Sequence, residues 1–248
     1  MCTACPSRRR FLRAGAALAL PLAATGCDLP ALVSDAEAVR MGREAWDAIV
    51  ARTPASRDAP SVRAVRRVTE RLLEAGGHDA RDWRVAVFAG PTVNAFALPG
   101  NRVGVYEGMV RLAADEARLA AVIGHEIGHV EAEHSQERMS AQAAGNAVTR
   151  LVAWLLNLGE IEFAEEIAGA LGVGLEFGVL RPYGRGQEEE ADLLGLDLMA
   201  RAGYAPGAAV ELWERMDALG GRVPAFLSTH PAPRRRIEAL REAIAART

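Results

Sequence analysis

His125-Glu126-Ile127-Gly128-His129 sets two imidazoles four residues apart with a carboxylate between them. Four residues differ by roughly 40° around a helix axis, so both rings turn to one side and can share a metal ion. Glu126 is then placed to reach a water on that ion rather than the ion itself. A catalytic zinc takes a third protein ligand and keeps a fourth position open. His134 follows His129 by five residues, about 140° around a helix, and faces the same ion only if the helix breaks. It is read as a poor ligand whose replacement leaves the metal in place. The longer metzincin pattern fails, because Ala132 and Ser135 stand where it requires glycine and histidine. Glu188-Glu189-Glu190-Ala191-Asp192 supplies better chemistry: Glu188 and Asp192 share one helical face, so the first can bind metal while the second holds a ligand imidazole in the correct tautomer. On composition alone, a solvated helix start that favours carboxylates through its dipole explains the same glutamates.

These side chains need elements to carry them. Asp115 caps a predicted helix running through Gly124 and His129 to about Ser140. Before it, Trp83–Ala89 alternates like a strand, and Val93–Leu98 and Arg102–Tyr106 follow as short apolar runs separated by Gly90-Pro91 and Pro99-Gly100, which predicts a small sheet. Ser34-Asp35-Ala36-Glu37 has the form of a capping box and opens a helix through about Ala51. A second helix over Ser61–Ala75 ends at Gly76-Gly77. Further helices reach the end of the chain, broken at Gly220-Gly221, Pro224 and Pro231-Ala232-Pro233. The stretch Leu151–Leu180 is apolar but interrupted by Asn157, Glu160, Glu162, Glu165, Glu166 and Glu176, and reads as a helical hairpin that packs the core, covers a cleft or faces a membrane. The fold class expected is α+β, mostly helical, with the HExxH helix beside the small sheet.

A chain of 248 residues, half of them apolar and a quarter charged, buries a core without disulfides and is neither collagen-like nor disordered throughout. Its 29 basic residues, all arginine, stand against 32 acidic ones, and no basic surplus favours nucleic acid. Ser7-Arg8-Arg9-Arg10-Phe11-Leu12-Arg13, an apolar run from Ala14 to Ala24 and the small residues before Cys27 predict an export signal over residues 1–26, of twin-arginine form. Ala24-Thr25-Gly26-Cys27 resembles a bacterial lipobox, which makes Cys27 the lipidated first residue of a tether over 27–33 and leaves one domain over 34–248. Removal of the signal takes four arginines and no acid, so the mature net charge falls from −3 to −7. Cys2 and Cys5 leave with it, and no disulfide framework remains. The location expected is the bacterial cell envelope, on the periplasmic side and held to the membrane by lipid.

Val93 to Gly100, His125 to Ser135, Tyr183 through Gly195, and Thr229-His230-Pro231 with Arg236-Ile237 occur in this order. Together they resemble the zinc metallopeptidases of family M48, which includes HtpX and the CAAX prenyl endopeptidases, and within it the small bacterial lipoprotein subset. The resemblance implies a gluzincin-type core holding one zinc per chain on His125, His129 and Glu188. It also implies Glu126 as general base and later acid, Asp192 behind a ligand imidazole, and His230 and Arg236 as further catalytic residues. In such a site the pKa of a zinc-bound water falls toward about 7, and Glu126 takes its proton. His230 is read as stabilising the oxyanion; in some relatives the matching histidine takes the fourth metal position and shuts the enzyme, so a latch role stays open beside it.

Asn94, Ala95 and Phe96 resemble the substrate strand of HExxH peptidases, to which an extended peptide adds through main-chain hydrogen bonds; Phe96 can equally pack the sheet. Many relatives have Ser-Arg before the acidic motif where this chain has Gly184-Arg185, which can loosen the start of the Glu188 helix but removes no ligand. The function implied is endopeptidase cleavage of misfolded or mislocalised envelope proteins. The competing class is a lipoprotein assembly factor or holdase with little turnover.

Overall fold

The computed structural model describes residues 33–143, 184–219, 224–231 and 233–247. The expected leader 1–26, Cys27 with most of its tether, and the 151–180 hairpin lie outside the described residues. Ser34 caps α1 (Asp35–Arg52) by accepting from the Glu37 N–H, and Ala38, Met41, Ala45, Trp46 and Ile49 form its buried stripe. Helix α2 (Ala59–Gly76) is capped by Asp58 and closed by Gly77.

Three strands follow: β1 (Arg84–Phe88), β2 (Ala95–Leu98) and β3 (Arg102–Tyr106), in the order β1-β3-β2, with β1 parallel and β2 antiparallel to β3. The β2–β3 hairpin turns through Gly100 and Asn101, both with positive φ (80° and 64°), the backbone that a tight turn between twisted strands demands. One sheet face stacks Phe88, Phe96 and Tyr106 with Trp46 of α1. Ala95, Ala97, Val103 and Val105 enter the main core from the other face. Val93 and Asn94, expected within the second strand, precede it: the Val93 carbonyl accepts from Phe226 N, and the Asn94 carbonyl from Tyr106 N.

Helix α3 (Glu107–Ala113) leads to α4 (Glu116–Glu131), whose N-cap Asp115 accepts from Arg118 N. Every residue from Leu119 to His129 is buried, so α4 is the central helix of the molecule. It does not continue to Ser140. The backbone turns through Ala132 and Glu133, the latter left-handed (φ 55°), and α5 (His134–Ala143) starts anew. Helix α6 (Arg185–Arg201) packs on α4 where glycines remove the usual spacing: a Cβ on Gly195 would lie 2.8 Å from the Gly124 carbonyl carbon, and one on Gly128 would lie 2.8 Å from the Ala191 oxygen. Its N-cap, Gly184, donates from N to Gln187 Oε1. Helices α7 (Gly207–Asp217), α8 (Ala225–Thr229) and α9 (Pro233–Ala245) complete the chain, broken at the expected prolines. The architecture is mostly helical with one small sheet, as expected. Among the described residues no helix is long and apolar enough to cross a membrane.

Candidate active site

The close approach of α4 and α6 lays the first turns of α6 across the two histidines. Nε2 of His125 and Nε2 of His129 lie 3.0 Å apart. Glu188 Oε1 is 3.3 Å from the second and Oε2 is 3.6 Å from the first. His230, just past α8, brings Nδ1 to 3.0 Å from Glu188 Oε1 and 3.2 Å from His125 Nε2. One donor atom from each of His125, His129, Glu188 and His230 falls within 4.8 Å of all the others, and all four residues are buried. A tetrahedral ion with bonds near 2.0–2.1 Å separates its ligands by roughly 3.3 Å. The spacing and the N/O donor set therefore fit a divalent metal such as zinc.

The surrounding charges favour the ligating forms. Burial, with the Arg236 charge, pushes the His125 imidazole down to about 4, and burial beside His125 holds His129 well below its ordinary value, so both rings stay neutral, as metal binding requires. Burial pushes the Glu188 carboxyl up, but Arg236, His230 and His129 outweigh it and hold it well below the usual carboxylate range. Asp192 is held down in the same way, chiefly by Arg236. The Asp192 carboxylate lies 3.0 Å from His125 Nδ1, leaving Nε2 toward the cluster. Arg236 is 2% exposed and donates from Nε to Asp192 (2.6 Å) and from its terminal nitrogens to Asp192 and Glu188. Its guanidinium lies 3.7 Å from the ring centre of Trp213. Arg236, placed among the catalytic residues from the sequence, thus touches the two carboxylates behind the imidazoles.

Glu126 is not one of the four clustered donors. The Ala97 N–H donates to its carboxylate, Oε1 is 3.5 Å from His230 Nε2, and among the described residues Oε1 has no hydrogen-bond partner. Because Asn94 pairs with Tyr106, strand alternation turns the backbone groups of Ala95 and Ala97 away from β3, toward α4 and Glu126. Asn94, Ala95 and Phe96 are all buried, and the Phe96 ring belongs to the aromatic face, so what β2 offers a peptide is its backbone edge. His134 lies outside the ligand group, with Nδ1 on the far side of His129, 3.0 Å from His129 Nδ1. Trp213 and the Ala97 N–H carry no spacing signal, and sequence reasoning missed both.

The model of peptidase family M48 matches residues 61–244, three quarters of the sequence and every residue of the cluster. The chain belongs to that family. Among family relatives, mitochondrial metalloendopeptidase OMA1 of Schizosaccharomyces pombe is 39% identical over 186 residues, 74% of this chain and 53% of that protein. Metalloendopeptidase OMA1 of Homo sapiens is 28% identical over 203 residues, 71% of this chain and 36% of that protein. The beta-barrel assembly-enhancing protease of Yersinia pestis is 30% identical over 155 residues, 58% of this chain and 31% of that protein. The chain thus spans about half, or less, of the length of the curated relatives it matches.

Burial pushes the Glu126 carboxyl up to about 7, with the nearby Glu188 charge adding to the effect. A carboxyl that ionises near 7 rather than 4.5 disfavours the folded, charged form by about 3 kcal/mol. Stability of the metal-free chain therefore falls as pH rises through this interval, and glutamine escapes the loss. Metal-free Glu126→Gln is expected to melt above the wild type at pH 8 and level with it at pH 4. Equal melting at pH 8 would show that the carboxylate is not penalised by its surroundings.

Proposed function

We propose that this chain is a zinc-dependent endopeptidase acting on extended or unfolded polypeptides of the cell envelope. The observation that carries the reading is the cluster of His125, His129 and Glu188 beside a buried Glu126, whose Oε1 has no hydrogen-bond partner among the described residues, and the backbone edge of β2. A zinc ion held there supplies Lewis acidity and an acidified water. The chain's own residues do the rest. The outward backbone groups of Ala95 and the Ala97 carbonyl align an extended peptide, whose recognition through main-chain hydrogen bonds demands no particular side chain, while the Ala97 N–H holds Glu126. Glu126 accepts a proton from the attacking water and returns it to the leaving amine. Asp192 orients His125, Arg236 fixes Asp192 and Glu188 together, and His230 Nε2 donates to the developing oxyanion.

His230 also supports a second reading. With Nδ1 at the fourth corner the protein donors close the site, and closed zinc sites are structural rather than catalytic. The latch must then swing away for turnover, and a chain that keeps it shut is an assembly factor or holdase. The lipobox at Cys27 and the export signal before it support a lipid-anchored envelope location. The names of the relatives, metalloendopeptidase and assembly-enhancing protease, support peptide-bond hydrolysis.

The test is metal removal and return. Chelation is expected to abolish cleavage of unfolded casein, one equivalent of zinc to restore it, and Glu188→Ala to hold no metal and regain nothing. Binding of casein without cleavage by a zinc-loaded wild type would favour the holdase.

A further inference from the structure

Helix α4 stops two residues after His129 without a glycine or proline to stop it, and Glu133 takes a left-handed backbone that costs a residue of its type roughly 1–2 kcal/mol. An unbroken helix would carry His134 about 140° away from His129. The turn instead starts α5 with His134 folded back, 1% exposed, so that its Nδ1 lies 3.0 Å from Nδ1 of His129 and its Nε2 lies 3.5 Å from Glu190 Oε2 on α6.

The protons in this chain of contacts have one consistent placement. His129 Nε2 faces the cluster and must offer a lone pair there, so the single proton of the neutral ring sits on Nδ1. That proton points at His134 Nδ1, which must accept it. The proton of His134 then sits on Nε2 and points at Glu190, whose carboxylate only accepts. We infer that His134 is a positioning residue for the metal site: it accepts from His129 Nδ1, locks that ring with Nε2 toward the ion, and is itself held by Glu190. The inference rests on the reading of His129 as a ligand. The two imidazoles are thus oriented by different devices: Asp192 acts on His125 directly, and Glu190 acts on His129 through a second histidine. His134, a poor ligand by spacing, acts from the side of His129 that faces away from the ion.

Loss of a group that orients a ligand costs typically 10- to 100-fold in metal affinity. His134→Leu in the full chain is therefore expected to bind one zinc at saturation, with a dissociation constant raised about 10- to 100-fold in competition with a chromophoric chelator. His134→Asn sets an amide oxygen near the Nδ1 position and recovers most of the affinity. His134→Gln, with its polar end at the Nε2 position, does not, and serves in place of leucine should that variant fail to fold. The visible absorption of the cobalt-substituted protein should shift in the leucine and glutamine variants and return in asparagine. Wild-type affinity in all three variants, with zinc still lost in His129→Ala, would overturn this inference alone. So would affinities that merely follow the melting temperatures of the metal-free forms, which would assign His134 to packing. A wild type that holds no zinc, or an unaltered His129→Ala, would overturn the ligand reading and this inference with it.

Discussion

Glu126→Gln is expected to lower kcat/KM for an unfolded protein substrate by roughly 10²–10⁴-fold, the range spanned by general acid–base groups, with zinc content and fold retained. Glutamine matches the carboxylate in shape, and the Ala97 N–H that donates to Glu126 can donate to the amide oxygen instead. Only the proton acceptor disappears. In the metal-free chain burial lifts that acceptor to about 7. Because the four clustered donors do not include Glu126, metal content should stay at one per chain. Steady-state cleavage of a fluorescent casein, beside elemental analysis of the same preparation, separates the outcomes. Near wild-type cleavage would remove Glu126 as the base, and loss of zinc with loss of activity would make it a ligand.

Local signals told most of what lay within one helical or strand period. The i, i+4 histidines, the caps at Ser34 and Asp115, and the break at Pro99-Gly100 between two short strands follow from side-chain periodicity and backbone freedom, and the structure has them; the Asp58 cap, three residues before the expected start at Ser61, was missed. Glu188 was different: its residue type allowed a solvated helix start equally well, and only the ordered series of motifs singled it out. The break after Glu131 left no trace in propensity, because Ala132 and Glu133 are good helix residues and the turn is favoured by a contact made elsewhere, the burial of His134 between His129 and Glu190. Val93 read as strand from its apolar neighbours, yet its carbonyl is taken by Phe226 N more than a hundred residues later. Trp213 was beyond reach for the same reason. Its place over Arg236 depends on how α7 and α9 meet, which no spacing encodes.

Arg236→Met is expected to destabilise the metal-free chain by about 3–5 kcal/mol at pH 8, the cost of leaving buried carboxylates without their partner. Methionine keeps much of the volume under Trp213 and removes only the charge and the donors that serve Asp192 and Glu188. In the wild type, burial raises both carboxyls but the guanidinium more than offsets it, so their folded values lie below the ordinary carboxylate range. That contribution is present above the unfolded pKa and is lost as pH falls through the depressed folded values. Without Arg236 burial acts unopposed by that charge, the carboxyls of the variant rise, and the deficit grows with pH from about 4 upward as they are forced to ionise. Denaturant titrations of both metal-free proteins should therefore lie furthest apart at pH 8 and draw closer toward pH 4, the remaining gap closing only as pH falls through the depressed wild-type values. Zinc supplies positive charge to the same carboxylate and meets no guanidinium charge in the variant, so saturating metal should stabilise the variant more than the wild type and narrow the gap at pH 8. A deficit equal at both pH values and untouched by zinc would mean that Arg236 acts through packing on Trp213, and that the carboxylates of α6 are held in place without it.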